Sequence, residues 1–260
     1  MSVAACADLV RQADPDRFVT GQTATPAAQA KLWPIYALNI EIARAAWASQ
    51  TPLLGQMRLQ WWEDGLAELA AGQAVRAHPV LAAVADVVAQ TGISVAPFHA
   101  MIAARQWDLA SDPFTDDAAL WQHLAALYGG VMVQSAAVLG APQPSWPVLA
   151  DLGRAMGLAQ WFCAVPRLLA LGRAPMPNPT LAAIAQLAHQ GLALHRASKR
   201  ALRTMGQGGQ IHPALLAGWQ TKALLNRAAH APERVMNGTL AFSEFRKRGS
   251  LWLKSISGAY

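Results

Sequence analysis

The chain has 260 residues, of which 53% are hydrophobic and 14% are charged, and its formal net charge is +6. This composition excludes a disordered chain, because so apolar and weakly charged a sequence can bury a large core. It also argues against a multi-span membrane protein. The longest apolar stretch, residues 124–139, is interrupted by polar residues and falls short of the ~20 residues that a span needs.

Helical periodicity dominates the sequence. Alanine and leucine are frequent, and apolar residues recur at intervals of three and four, which predicts an all-α protein. Prolines after polar residues mark helix starts at Pro26, Pro52 and Pro79. The predicted helices cover residues 26–48, 53–72, 78–91, 95–108, 116–139, 145–171, 179–204, 211–229 and 239–256. Because the long helices are apolar on most sides, we expect one helical bundle and a single domain over residues 1–260.

The N-terminus and the cysteines bear on where the protein acts. Residues 8–16 carry three aspartates and no long apolar core, so no signal peptide is expected. Cys6 and Cys163 form neither a disulfide framework nor a metal set, which fits a reducing compartment. The seven histidines show no HxxxH or HExxH spacing, and a zinc site is not predicted. We therefore expect a cytoplasmic protein.

The positive charge is concentrated at the C-terminal end. Residues 196–260 hold 11 Lys and Arg against two acids, a net charge of +9, whereas residues 1–195 hold 10 against 13, a net charge of −3. This surplus predicts a surface for an anionic membrane or a protein partner, with a solvated charged face as the alternative. The segment 251–256 adds Trp252 and aliphatic residues, as interfacial helices do. The surface residues are Arg196, Lys199, Arg200, Arg203, Arg246, Lys247, Arg248 and Lys254. No nucleic-acid motif is present, and no nucleic-acid partner is expected.

The segment 55–64, GQMRLQWWED, is the most distinctive stretch of the sequence. Leu54, Met57, Trp61 and Leu69, with Arg58, Trp62 and Leu66 beside them, describe a broad apolar helix face. In one interpretation Arg58 binds a buried anion. In the other, the face packs in the core and Arg58 extends to solvent or pairs with an acid.

Two groups of carboxylates have the spacing of a metal site. Asp64 and Glu68 lie four residues apart and could hold Mg²⁺ on a diphosphate, but a solvated face is the better interpretation. In the second group, Pro113 prevents a regular helical ladder, and Asp116 or Thr115 is expected to cap the following helix. That group consists of Asp108, Asp112, Asp116 and Asp117.

A series of motifs resembles the squalene/phytoene synthase family. In chain order these are Arg17-Phe18, residues 32–39 (LWPIYALN), 55–62, His78-Pro79-Val80, 104–109 (ARQWDL), Tyr128-Gly129-Gly130 and Gly153-Arg154-Ala155. They cover most of residues 17–180. The resemblance implies the all-α isoprenoid synthase fold, a helical bundle around a central cavity. It also implies a condensation of two prenyl diphosphates, with two aspartate-rich motifs on facing helices that hold Mg²⁺.

The aspartates that the resemblance implies are missing. Counted from Tyr36, the first motif falls on residues 43–47, namely Ala43, Arg44, Ala45, Ala46 and Trp47. The second falls on Cys163 and Ala164, followed by Val165, Pro166, Arg167 and Leu168. Carboxylate-held Mg²⁺ neutralises a departing diphosphate, so this loss argues against metal-dependent catalysis. We expect neither a metal site nor a cofactor.

A motif-degenerate subfamily, which includes the mitochondrial assembly factor for respiratory complex I, is more similar still. Its hallmarks resemble residues 38–43 (LNIEIA), 57–62 (MRLQWW) and Val165-Pro166. On this resemblance we expect a catalytically degenerate protein that acts in membrane-associated binding or complex I assembly. The expected partner is the anionic inner face of a membrane or a subunit of the respiratory complex. A prenyl or quinone-like lipid is expected to bind in the cavity.

Eight residues are expected to bind the ligand. They are Tyr36, Glu41, Arg44, Arg58, Arg105, Asp108, Tyr128 and Arg167. Two alternatives stay open. An active prenyltransferase would need Mg²⁺ and displaced carboxylates, for which only Glu41, Asp108 and Asp112 are available. A plain scaffold would hold no ligand in the cavity.

Overall fold

The computed structural model describes residues 3–47, 51–110 and 112–257. Residue 48, the last of the first predicted helix, and the ends of the predicted domain, 1–2 and 258–260, lie outside the described residues. Within that part of the chain the secondary structure is helices and turns without a strand, which confirms the all-α prediction.

Fourteen α-helices follow one another along the described residues. They are α1 Val3–Ala13, α2 Pro15–Gly21, α3 Pro26–Trp47, α4 Pro52–Ala70, α5 Pro79–Thr91, α6 Ala96–Ala104, α7 Asp117–Leu124, α8 Gly130–Ala137, α9 Trp146–Ala170, α10 Leu181–Thr204, α11 His212–Leu216, α12 Thr221–His230, α13 Glu233–Met236 and α14 Glu244–Ser257. Short 3₁₀ turns span Arg105–Leu109 and Gln143–Ser145, and a π turn spans Ala125–Gly129.

The two N-terminal helices are absent from the sequence prediction. Helix α1 packs against α3 and buries only Cys6 and Val10. Two buried positions are too few to predict a helix from apolar periodicity. Helix α2 starts at Pro15, and the Asp14 side chain caps it by accepting a hydrogen bond from the Arg17 amide at 2.9 Å. Asp14 is thereby half-buried and Arg17 is buried.

Three predicted helices end or begin elsewhere in the structure. The helix predicted over 95–108 stops at Ala104 and continues as a 3₁₀ turn. The helix predicted over 211–229 divides into α11 and α12, because a turn through Gly218 closes with i→i+3 hydrogen bonds. The helix predicted over 239–256 begins at Glu244.

The buried face of α4 agrees only in part with the predicted one. Leu59, Trp62 and Leu66 are buried, whereas Leu54 is 45% exposed and Met57 is 60% exposed. The residues at positions 55, 59, 62 and 66 form a single helical stripe against the core, and the first turn of α4 leaves its other apolar side chains outside. The predicted face is therefore right for Trp62 and Leu66 and wrong for Leu54 and Met57.

Helices α3 and α9 supply much of the core and position the site. Close packing on α9 depends on two glycines. A Cβ atom at Gly153 would lie 2.6 Å from the Tyr128 carbonyl oxygen, and one at Gly157 would lie 2.6 Å from the Tyr128 ring. The π turn that carries Tyr128 can therefore lie directly on α9.

Candidate functional site

A cavity of about 470 Å³ lies between α3 and α9. Asn39, Ala43 and Trp47 line it from α3, where their four-residue spacing places them on one helix face. Ala164 and Leu168 line it from α9, also four residues apart. The two helices thus face each other across the cavity.

The positions that the resemblance assigns to aspartates converge on this cavity. Ala43 and Trp47 of the first motif lie on one wall, and Ala164 and Leu168 of the second lie on the other. Cys163 points instead into a neighbouring cavity. The geometry of two facing motifs is kept, but none of these four side chains carries a carboxylate.

One buried carboxylate does line the cavity, on the 3₁₀ turn after α6. Asp108 is 1% exposed, and the Arg105 guanidinium donates a hydrogen bond to it with an Nη1–Oδ2 distance of 3.0 Å. Burial raises the pKa of Asp108, while Arg105 acts in the opposite direction. A side-chain hydrogen bond from Trp47 also reaches this carboxyl. Asp108 is therefore already engaged by two neighbours.

Trp47 occupies the far position of the first motif and is held on two sides. Its indole contacts Asp108, and the Arg173 guanidinium carbon lies 5.5 Å from the centre of its ring. Arg173 itself donates a hydrogen bond to the Ala110 carbonyl oxygen. A cation–π contact and a hydrogen bond therefore fix the tryptophan where the resemblance implies a metal ligand.

The charges around the cavity favour an anion. Its second acid, Asp14, pairs with Arg17 through an Nε–Oδ2 distance of 3.3 Å. Arg44 is half-exposed, 3.7 Å from Glu41, and Arg167 is exposed at the rim. With both lining acids already paired, these arginines give the cavity a positive field, in which charge-assisted hydrogen bonds to an anion are strong.

Magnesium does not fit the donor set of the cavity. Mg²⁺ needs oxygen ligands, and the four motif positions offer apolar side chains and an indole. Asp14 and Asp108 are each paired with an arginine. Among the described residues, no group of three or more His, Cys, Asp or Glu side chains lies close enough to hold a metal ion.

The expected ligand-binding residues divide among three places. Arg44, Arg105, Asp108, Tyr128 and Arg167 all line the main cavity.

Three of the expected ligand-binding residues lie elsewhere. Glu41 and Arg58 lie in a neighbouring hollow of about 230 Å³ beside Trp61 and Trp62, which shares Arg44 with the main cavity. Arg58 is exposed and does not line the main cavity. Tyr36 is fully buried under the Arg17 guanidinium and lies outside these cavities.

The carboxylates considered as metal ligands are not assembled. Glu68 pairs with Arg76 at an Oε1–Nη2 distance of 2.5 Å, and Asp64 lies 3.7 Å from the same guanidinium. Asp116 caps α7 by accepting the Ala119 amide at 2.7 Å, as predicted. Asp112 lies on the surface away from the lining of the main cavity.

A second cavity of about 200 Å³ adjoins the first across Asp14 and was not predicted. Arg17 lines it and is only 5% exposed, and its Nη1 has no hydrogen-bond partner in the structure. Asp16 lies at the same cavity and forms an ion pair with Lys247 of α14 at 3.1 Å. The Arg17-Phe18 motif was the one sequence signal for this region.

The predicted basic surface is only partly outward-facing. The exposed members are Arg196, Arg200, Arg203, Arg246 and Arg248.

Two other members of the basic surface turn inward. Lys247 pairs with Asp16, and the Lys254 ammonium donates a hydrogen bond to the Trp219 carbonyl oxygen at 2.7 Å. No helix among the described residues is long and apolar enough to cross a membrane.

The comparisons with known proteins decide the family. The squalene/phytoene synthase family model matches residues 10–237. The chain belongs to the squalene/phytoene synthase family. No curated protein sequence matches it with significance.

Solved structures show the fold of this family member. A dehydrosqualene synthase in complex with ligand is 17% identical, with a TM-score of 0.81 over 99% of this chain and 97% of that one. Squalene synthase HpnC from Alicyclobacillus acidocaldarius is 16% identical, with a TM-score of 0.73 over 88% of this chain and 93% of that one. The isoprenoid synthase fold predicted from the sequence is confirmed.

Proposed function

We propose that this family member is catalytically degenerate and acts at a membrane, in lipid binding or in the assembly of respiratory complex I. Its cavity holds one anionic or polar-headed lipid, of the prenyl or quinone-like kind, without a metal ion. A volume of about 470 Å³ lies in the range of sites that enclose one small-molecule ligand.

One observation carries this proposal. Ala43, Trp47, Ala164 and Leu168 face one another across a single cavity at the places where the resemblance implies aspartates. Ionisation of a prenyl diphosphate needs cationic charge held at the leaving group. Here the positive charge comes from Arg44 and Arg167 of the protein itself, since Arg105 is paired with Asp108, and arginines can bind an anion but offer no ligand for Mg²⁺.

The assembly role has a separate basis. It rests on the resemblance of residues 38–43 and 57–62 to the subfamily that contains the complex I assembly factor. If this role is right, removing the protein from the cell that makes it lowers the amount of assembled complex I in its membranes. An unchanged amount would contradict the assembly role and leave the lipid-binding role in place.

An active prenyltransferase is the second candidate. The observation in its favour is Asp108, a carboxylate on the cavity wall of a chain that has the fold of dehydrosqualene synthase. Such an enzyme would condense two prenyl diphosphates in isoprenoid biosynthesis. It would need Asp108 to leave Arg105, which costs the energy of a buried ion pair.

A turnover assay separates the two candidates. The full chain is incubated with farnesyl or geranylgeranyl diphosphate and Mg²⁺, and released diphosphate is measured. We expect no release above that of the buffer. Mg²⁺-dependent release that disappears in Asp108→Asn would establish the enzyme and overturn the degenerate interpretation.

Lipid analysis separates the lipid-binding role from a plain scaffold. A lipid extract of the purified protein is examined by mass spectrometry, and we expect a bound prenyl or quinone-like lipid. Ala164→Trp fills the cavity and should abolish lipid binding. Ala170→Trp changes an exposed position of the same helix and should leave the bound lipid in place. An extract without lipid from the unchanged protein would favour the scaffold.

A further inference from the structure

Helix α14 presents an apolar strip to solvent. Phe245 is 90% exposed and Trp252 is 64% exposed, and their seven-residue spacing places them on one line along the helix. Leu253, beside Trp252, is 62% exposed. Large apolar side chains that lie together on a surface mark a site of interaction.

Two arginines flank this strip. Arg246 and Arg248 are both exposed, and helical geometry places them on opposite sides of the line from Phe245 to Trp252. An aromatic strip between cations is typical of a helix that lies in the plane of a membrane interface. There the aromatic rings sit at headgroup level and the cations meet lipid phosphates.

The opposite face of α14 is bound to the body of the protein. Lys247 forms an ion pair with Asp16 at 3.1 Å, and Lys254 donates a hydrogen bond to the Trp219 carbonyl oxygen at 2.7 Å. Leu251 is buried on the same side. Because these contacts fix how the helix sits, the apolar strip stays directed outward.

Neighbouring helices place further positive charge around Lys254, on the inward side of α14. Burial, and then the charges of Lys254, Arg203 and Lys222, lower the pKa of Lys199 to about 8. Cations from α10, α12 and α14 are therefore close enough to repel one another. These cations lie on the inward side of α14 and do not belong to the strip, but their charge adds to the long-range attraction of an anionic surface.

We propose that the outward face of α14 docks the protein on an anionic lipid bilayer. Phe245, Trp252 and Leu253 enter the headgroup region, and Arg246 and Arg248 contact lipid phosphates. A bilayer satisfies both parts of the face at once, since it offers negative charge and an apolar layer together. This inference rests on the membrane part of the proposed function and names the surface and the partner.

Vesicle binding by the full chain tests the inference. The protein is sedimented at low salt with vesicles of phosphatidylcholine alone or with added phosphatidylglycerol, and we expect strong binding only to the anionic vesicles. Phe245→Ser with Trp252→Ser should weaken binding by about tenfold or more, through lost apolar burial. Arg246→Gln with Arg248→Gln should weaken it by roughly thirtyfold, at about 1 kcal/mol per arginine.

A matched control comes from α4. Leu53→Ser with Met57→Ser removes two apolar side chains that are 62% and 60% exposed, and this variant should bind vesicles as the unchanged protein does.

Quenching of tryptophan fluorescence by brominated lipid gives a second measurement. Trp252→Phe should keep vesicle binding but lose a large part of this quenching. Undiminished quenching in Trp252→Phe would overturn the placement of Trp252 in the bilayer.

The outcomes distinguish this inference from the proposed function. If the unchanged protein binds anionic vesicles and the Phe245→Ser/Trp252→Ser variant binds equally well, the docking face is wrong while membrane association stands. If the unchanged protein binds no vesicle, both the docking face and the membrane part of the proposed function fail. Neither result alters a measurement of lipid in the cavity.

Discussion

The Arg105 guanidinium lies 3.0 Å from the Asp108 carboxylate at the wall of the cavity, and Asp108 is almost completely buried. A pair of this kind costs desolvation energy, and removing one partner leaves the other charged and buried. The pair therefore ties the 3₁₀ turn to the site. Because Asp108 is bound to Arg105, the one carboxylate that α6 and the following 3₁₀ turn place at the cavity is not available to another ligand.

Breaking this pair should destabilise the fold. We expect Asp108→Ala to lower the free energy of unfolding by about 3 kcal/mol, because Arg105 would keep an uncompensated buried charge. The double variant Arg105→Met/Asp108→Leu should lose less than the sum of the two single changes. Denaturant unfolding of the four proteins measures this, and additive losses would show that the pair is not coupled.

Stability should fall in acid through His123. Its ring packs against Trp107, Phe114 and Trp161 with centroid distances of 5.5, 5.1 and 5.2 Å. Burial lowers the pKa of His123 to about 3, from 6.5 for an exposed ring. Between these values the unfolded chain binds a proton that the folded protein does not. The contribution of His123 is thus complete above pH 6.5 and is lost as the pH falls towards 3.

The measurement is denaturant unfolding at pH 6 and pH 5. One such histidine accounts for up to about 1.4 kcal/mol per pH unit, so His123→Phe should reduce the loss of stability between the two pH values by about 1 kcal/mol. His189→Phe, an exposed position on α10, is the control and should keep the full loss. An unchanged loss in His123→Phe would mean that this ring is protonated in the folded protein.

The close approach of α9 to Tyr128 should not tolerate a methyl group. A Cβ at Gly153 would lie 2.6 Å from a backbone oxygen, which cannot move without shifting the π turn. We expect Gly153→Ala to destabilise the protein by roughly 1–3 kcal/mol, as overpacking does. Gly249→Ala on α14 meets no atom within 4 Å and should stabilise it by up to about 1 kcal/mol. Thermal unfolding compares them, and equal effects would contradict the packing argument.

Inorganic diphosphate should bind through the arginines of the cavity. Arg44→Gln and Arg167→Gln should each weaken its binding by about tenfold, the loss of one charge-assisted hydrogen bond. Arg58→Gln changes the neighbouring hollow and should leave the affinity unchanged. Titration calorimetry without metal gives the affinities. A loss in Arg58→Gln as large as in Arg167→Gln would mean that the anion lies outside the main cavity.

Sequence periodicity predicted the long helices well because each has a wide apolar surface. Helix α9 buries residues along its whole length and was expected within a residue or two of its ends. Helices α1 and α2 were missed because short elements carry few apolar positions and are recognised mainly by their packing. The split between α11 and α12 depends on turn hydrogen bonds that no periodicity shows.

The motif spacing predicted some residues of the site but not their contacts with other helices. Spacing from Tyr36 identified Ala43 and Trp47, and both line the cavity with Ala164. It could not show that Tyr36 itself is buried under Arg17, since this contact depends on how α2 docks against α3. Nor could it reveal that Lys247 turns inward, because its partner Asp16 lies far away in the sequence.

Calorimetric titration of farnesyl diphosphate into the protein, with and without Mg²⁺, is the decisive test of whether the cavity binds a diphosphate without a metal ion. We expect binding that Mg²⁺ does not strengthen, because the protein's own arginines contact the diphosphate and the motif positions lack carboxylates. Binding that becomes tighter with Mg²⁺ would contradict it. Carboxylates would then hold a metal at the site, and this family member would have to be treated as an enzyme.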